Sequence, residues 1–166
     1  MGMAMKLADY LCAHPVPFDL VAHSHTRSSL QSARSMDLTP GCLVKAVVLE
    51  DENDQFLMAV LPASRKVNLG ELRMYTGRML RLADEAELRE RFGDCDAGAV
   101  PPIGNAYGME TIWDDSLMSR PDVYFEAGDH ETHVHVKTRD FVGLLEGARH
   151  MDFSAPMERA RTAMAP

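Results

Sequence analysis

Residues 43–61 constrain the fold more than any other stretch. Leu43–Glu50 reads LVKAVVLE, rich in the β-branched residues that suit a pleated strand. Gln55–Leu61 reads QFLMAVL, and the polar Asp51–Asp54 between the two runs predicts a hairpin turn. The hairpin commits the chain to a sheet. Lys45 interrupts its first strand, on the face that alternation assigns to Leu43, Val47 and Leu49.

The segments around the hairpin are mixed. Residues 3–14 carry a helical stripe of Met5, Leu7, Ala8, Leu11 and Cys12, ended by Pro15 and Pro17. Phe18–Ala22 is a short extended run leading into His23-Ser24-His25-Thr26. Residues 28–36 read as a helix, and Thr39-Pro40-Gly41 as a turn. Asn68 caps a helix over 69–76 that Gly77 closes, and Asp84 caps another over 85–92 that Gly93 ends. Leu80–Ala83, Thr111–Trp113, Val123–Glu126 and His133–Lys137 read as strands, the last two joined by a turn at Gly128. Thr138 or Asp140 caps a final helix, 140–146. Residues 1–150 make one domain; 151–166 read as a tail with a weak helix at 157–164. Strands and helices alternate without a βαβ rhythm. The expected fold is therefore α+β, with a mixed, mainly antiparallel sheet surrounded by helices.

Composition narrows the function. A chain of 166 residues, 46% hydrophobic and 25% charged, buries a core without staples. The net charge of −8 argues against a broad nucleic-acid-coating surface, though not against a local basic patch. Arg65, Lys66, Arg73, Arg78, Arg81, Arg89 and Arg91 form such a cluster, readable as a phosphate contact or as a solvated helical face. Cys12, Cys42 and Cys95 are an odd set with no CxxC, so neither a disulfide framework nor a zinc knuckle is indicated. No signal peptide and no membrane-spanning run is read, which points to the cytoplasm.

Three groups of residues carry chemistry. Lys45 in an apolar strand costs free energy unless an anion pairs with it. It reads either as a cation for a phosphate or nucleic-acid 3′ end, or as an edge lysine reaching water. The loop Gly98-Ala99-Val100-Pro101-Pro102-Ile103-Gly104 is stiff yet lets main-chain N–H groups approach a ligand, as an oxyanion hole does; it also reads as a plain turn. His130, His133 and His135 cluster, and His133 and His135 share a strand face. HETH is not HExxH, however, and no distant set completes a metal site. There is no GxSxG elbow and no cysteine in a nucleophile context, so water is the expected nucleophile of any hydrolysis.

The order of these pieces resembles the YbaK family, the prolyl-tRNA-synthetase-associated editing domain, over residues 3–148. The carrying stretches are HSHT; VKAVVLEDENDQFLMAVLP with VNLGEL; GAVPPIG followed by ETIWDDSL; and VYFEAGDHETHVHV before RDFVGLL. The resemblance implies a partly barrel-like central sheet and hydrolysis of the ester between an amino acid and the terminal ribose of tRNA. It implies no metal, no cofactor and no protein nucleophile. Lys45 would hold the RNA 3′ end, and Gly98 would position water and the carbonyl. His23, Ala46, Val100, Pro102, Gly104, Glu126, Gly128 and His133 would line the substrate pocket. Ala46, Glu126, His133 and His23 differ from residues common in the family, which leaves the amino acid removed open. Glu126 and His133 are expected to pair and recognise an amino group or a side-chain hydroxyl. The expected partners are the 3′ end of aminoacyl-tRNA and, by docking, an aminoacyl-tRNA synthetase. With no synthetase core in the chain, the enzyme would act in trans. Two other readings are a non-catalytic oligonucleotide- or aminoacyl-binding module and a hydrolase of another small aminoacyl ester or thioester.

Overall fold

The computed structural model describes residues 2–23 and 38–157. The helices expected at 28–36 and 157–164 therefore lie outside the described residues, save Met157 itself. The elements are α1 (Met5–Ala13), β1 (Phe18–Ala22), β2 (Leu43–Glu50), β3 (Phe56–Pro62), β4 (Arg65–Val67), α2 (Leu69–Thr76), β5 (Arg81–Leu82) and α3 (Glu85–Arg91). They continue with β6 (Glu110–Asp114), β7 (Asp122–Glu126), β8 (Thr132–Lys137), α4 (Thr138–Leu144), β9 (Arg149–Met151) and β10 (Ser154–Pro156).

The central hairpin forms as its sequence demands. Asp51 accepts main-chain bonds from Asn53 and Gln55, each 2.9 Å, and Asp54 turns the chain at φ 58°. The Gln55 amide, helped by the Arg78 guanidinium, holds the Asp51 carboxyl below the usual range. The main sheet runs β1-β8-β7-β2-β3-β6-β9, with β5 also on β2; β4 and β10 make a separate ribbon. Within the main sheet, β2/β7, β3/β6 and β6/β9 are parallel and the other pairs antiparallel. The result is a single mixed α/β domain whose sheet stays open rather than closing into a barrel.

Both faces of the hairpin are covered. Val44, Val48, Met58 and Val60 join Val123, Phe125, Val134 and Phe141 in one apolar cluster. Leu49, Leu57, Ala59 and Leu61 join Leu72, Leu80, Ile112 and Phe153 in another. Two-sided burial explains why the two strands read as continuous apolar runs rather than alternating ones.

Local signals place the flanking helices. Asn68 accepts from the Glu71 amide, and Gly77 closes α2 at φ 67°. Asp84 and Glu87 form a reciprocal capping box that starts α3. The last helix departs from expectation: it begins at Thr138 with no side-chain cap. The Thr138 hydroxyl instead donates to the Arg120 carbonyl at 2.6 Å, so it ties the helix to the β6–β7 connection. Residues 149–156 form β9 and β10, with Phe153 buried in the second cluster. Asp114, fully buried, accepts from the Phe153 amide at 2.9 Å and from Ser116. Among the described residues no helix is long and apolar enough to cross a membrane.

Candidate active site

The site arises where strand pairing on β2 lapses. One edge of β2 meets β7 at Leu43↔Tyr124 and Val44↔Phe125, then meets β5 at Leu49↔Leu82 and Glu50↔Arg81. The stretch between has no ladder partner on that edge among the described residues. The Ala63 amide bonds to the Leu43 carbonyl at 2.8 Å, and the Ala83 amide to the Val48 carbonyl at 3.0 Å. These bonds set the phase of the strand: Leu43, Lys45 and Val47 turn their main-chain groups toward β3, while Val44, Ala46 and Val48 turn theirs the other way. The N–H and C=O of Ala46 therefore face the gap.

The gap opens into a cleft of about 500 Å³. Val44, Ala46, Val48, Leu88, Phe92 and Val100 supply apolar walls, and Lys45, Arg89, Cys95, Gly98 and Glu126 bring polar groups. The size and the mostly apolar lining suit a small-molecule site. Five expected site residues thus meet on one cavity: Lys45, Ala46, Gly98, Val100 and Glu126. The rest lie elsewhere. Pro102 is buried outside the lining. Gly104 packs under Thr111, where a Cβ would lie 1.9 Å from Oγ1. Gly128 takes φ 126° and lets Ala4 pack against it, while the Ala4 amide bonds to the Ala127 carbonyl. His23 and His133 stand behind Glu126 rather than on the cleft surface.

Lys45 is half-buried. Its ammonium lies 3.5 Å from the Ala63 carbonyl, and no carboxylate pairs with it among the described residues. Burial lowers its pKa, so the cation is held at a cost. Register puts it on the face that carries Tyr124, Glu126, His133 and His135. Gly98 takes φ 80°, a conformation that glycine adopts without strain.

Sequence reasoning missed what holds that loop. The His130 ring bonds to the Ala97 carbonyl, and the Asp96 amide bonds to the Gly128 carbonyl at 2.8 Å. His130 Nδ1 lies 4.0 Å from Glu126 Oε1. Its φ of 60° was invisible in sequence.

His133 is 1% exposed; its Nε2 lies 3.6 Å from Glu126 Oε1, and its ring sits 4.3 Å from that of His23. Burial first, then the neighbouring His23, pushes the imidazole pKa down to about 3. His135 shares the strand face but belongs to another group, stacked on Tyr124 and bonded to Asp122 at 3.1 Å. The distant set that the sequence did not reveal is thus His23, just after β1, with Glu126 of β7 and His133 of β8.

The Cys95 thiol touches the Tyr107 hydroxyl at 3.1 Å, and burial pushes its pKa up to about 12, so it stays protonated. The basic cluster is largely spent within the fold. Arg78 bonds to Asp51 and Glu110, Arg81 to Glu50, and Arg65 to Ser154. Arg89, on the cleft wall and largely exposed, pairs only loosely with Glu85 at 3.6 Å.

Residues 23–144 match the family model described as the aminoacyl-tRNA editing domain. The chain belongs to that family. Its fold is shared by solved structures. The hypothetical protein APE2540 superposes with a TM-score of 0.81 at 24% identity, covering 90% of this chain and 99% of that one. A proposed trans-editing enzyme for prolyl tRNA synthetase superposes at 0.79 with 23% identity, covering 92% and 96%. No curated protein matches the chain.

Proposed function

We propose that this editing domain is an aminoacyl-tRNA deacylase that acts in trans, hydrolysing the ester of mischarged tRNA with water as nucleophile. The observation that carries the reading is the meeting of Lys45, Gly98 and Glu126 on one cleft. A binding module would leave Lys45 and the glycine loop free to face different spaces.

In this reading Lys45 and Arg89 hold the phosphate and ribose of the 3′ end. A partly desolvated ammonium with no carboxylate partner among the described residues gains most from a phosphate. The terminal ester enters the gap on the edge of β2 between its pairings with β7 and β5. The Gly98 loop, fixed by His130, presents main-chain donors to the carbonyl and the attacking water. The N–H and C=O of Ala46 add a donor and an acceptor on the facing wall. Glu126, with His133 behind it, meets the amino group, since a neutral imidazole and a carboxylate both accept hydrogen bonds. Cys95 stays protonated and takes no part as a nucleophile. Catalysis then rests on positioning and on prearranged dipoles rather than on a strong acid or base.

The deciding assay offers Ala-, Cys-, Ser- and Thr-tRNA mischarged panels to wild type and to Lys45→Ala. Release of one or two amino acids by wild type, lost in the variant, is expected. No release from any substrate by folded protein shifts the reading to a binding module. Release from small aminoacyl esters irrespective of the tRNA points to the simpler esterase. Glu126→Ala is expected to change amino-acid preference; unchanged rate and preference would remove Glu126 from substrate recognition.

A further inference from the structure

We propose that His23, Glu126 and His133 form a binding site for a divalent transition-metal ion of the zinc class. The three donors come from neighbouring strands: His23 follows β1, Glu126 ends β7, and His133 lies in β8. Register pairs Glu126 with His133 directly, and Val21, two residues before His23, with His133 on the other side. One ligand atom from each residue lies within 4.8 Å of the others. His133 Nε2 and Glu126 Oε1, 3.6 Å apart, are near the edge length of about 3.3 Å that follows from zinc bonds of about 2 Å in a tetrahedron.

The donor set selects the ion. Two imidazoles and one carboxylate suit zinc, cobalt or iron, whereas calcium and magnesium take oxygen ligands. His133 is buried and presents Nε2 to Glu126. Glu126 reaches the cleft, so an ion held here keeps an open position toward it. Such three-ligand, open arrangements bind metals that exchange a water for a substrate group. Neighbouring groups are already committed: Asp129 accepts from the Glu131 and Thr132 amides, and His130 bonds to Ala97. The site stands apart from the editing reading, in which Glu126 and His133 meet the amino group directly; an ion held here would face that group in their place.

The test uses the full chain, stripped by chelation and titrated with cobalt(II) and zinc(II) alone, without tRNA. A single equivalent should bind, with visible cobalt absorption of a low-coordinate nitrogen–oxygen site and no thiolate charge-transfer band. Glu126→Gln and His23→Ala should each weaken binding at least about tenfold with an unchanged circular dichroism spectrum. His133→Ala should do the same; if it does not fold, the other two variants carry the test. His14→Ala and His150→Ala, exposed histidines elsewhere, should leave affinity unchanged. Absence of saturable binding, a thiolate band, or equal affinity in Glu126→Gln and His23→Ala would overturn the site. Each of those results leaves the deacylation assay unaffected.

Discussion

The two ends of β2 make different uses of one strand. At Leu49–Glu50 it is paired on both edges, to β3 and to β5. The Leu49 side chain is sealed among Leu57, Leu72, Leu80, Ile112 and Phe153, and the buried Glu50 carboxylate pairs with Arg81 at 2.6 Å. At Lys45–Val47, among the described residues, one edge is left open and a cation is half-buried without a counter-ion, and a histidine nearby is kept neutral. At the first end the strand edges and the buried charge all have partners; at the second they do not among the described residues. Unpaired main chain and uncompensated charge concentrate where a ligand would complete them.

The largest expected effect lies at the sealed end. Phe153→Ala should lower unfolding free energy by roughly 3–5 kcal/mol in denaturant melts, as deletion of a buried aromatic does. Activity per folded molecule should hold, because the residue does not line the cleft. Loss of amino-acid preference in that variant would erase the distinction between the ends. Next comes Lys45→Ala, expected to lose at least about a hundredfold in kcat/KM, some 2.7 kcal/mol of transition-state stabilisation. Its thermal midpoint should stay level or rise, since a buried ammonium is removed. A coupled fall in stability would assign Lys45 a structural role.

The acid response sharpens the comparison further. His133 is neutral when folded down to about pH 3, whereas an unfolded histidine binds its proton near pH 6.5. The unfolded state holds more protons in that window, so stability falls as pH drops from 6.5 toward 3. The loss should reach about 2 kcal/mol at pH 5, and His133→Phe should flatten that part of the profile. The smallest effect is Gly98→Ala. A Cβ there would meet His130 Cε1 at 3.5 Å, an ordinary contact, so the cost is the left-handed backbone, about 1 kcal/mol. Turnover should drop more than stability does, measured by single-turnover deacylation beside a melt.

The sequence was most legible where structure is local. β1 and β2 fall on their expected bounds, and Asn68, Gly77 and Asp84 cap as read. Each of those signals spans only a few residues. The parallel pairings of β2 with β7 and of β3 with β6 were not legible, because register between strands that far apart leaves no local trace. Lys45 and the glycine loop stood out as misfits in their own segments. The convergence of His23 with His133 did not, since 110 positions separate them. β4, β9 and β10, three residues each, are too short to show a period.

The open edge at Ala46 bears on inheritance. A main-chain N–H and C=O are present whatever side chain the codon specifies, proline excepted. Grip on the common part of a substrate can therefore persist while neighbouring positions drift. In the deacylase reading, Ala46, Glu126 and His133 are positions whose exchange would alter which amino acid is accepted while that main-chain frame stays in place.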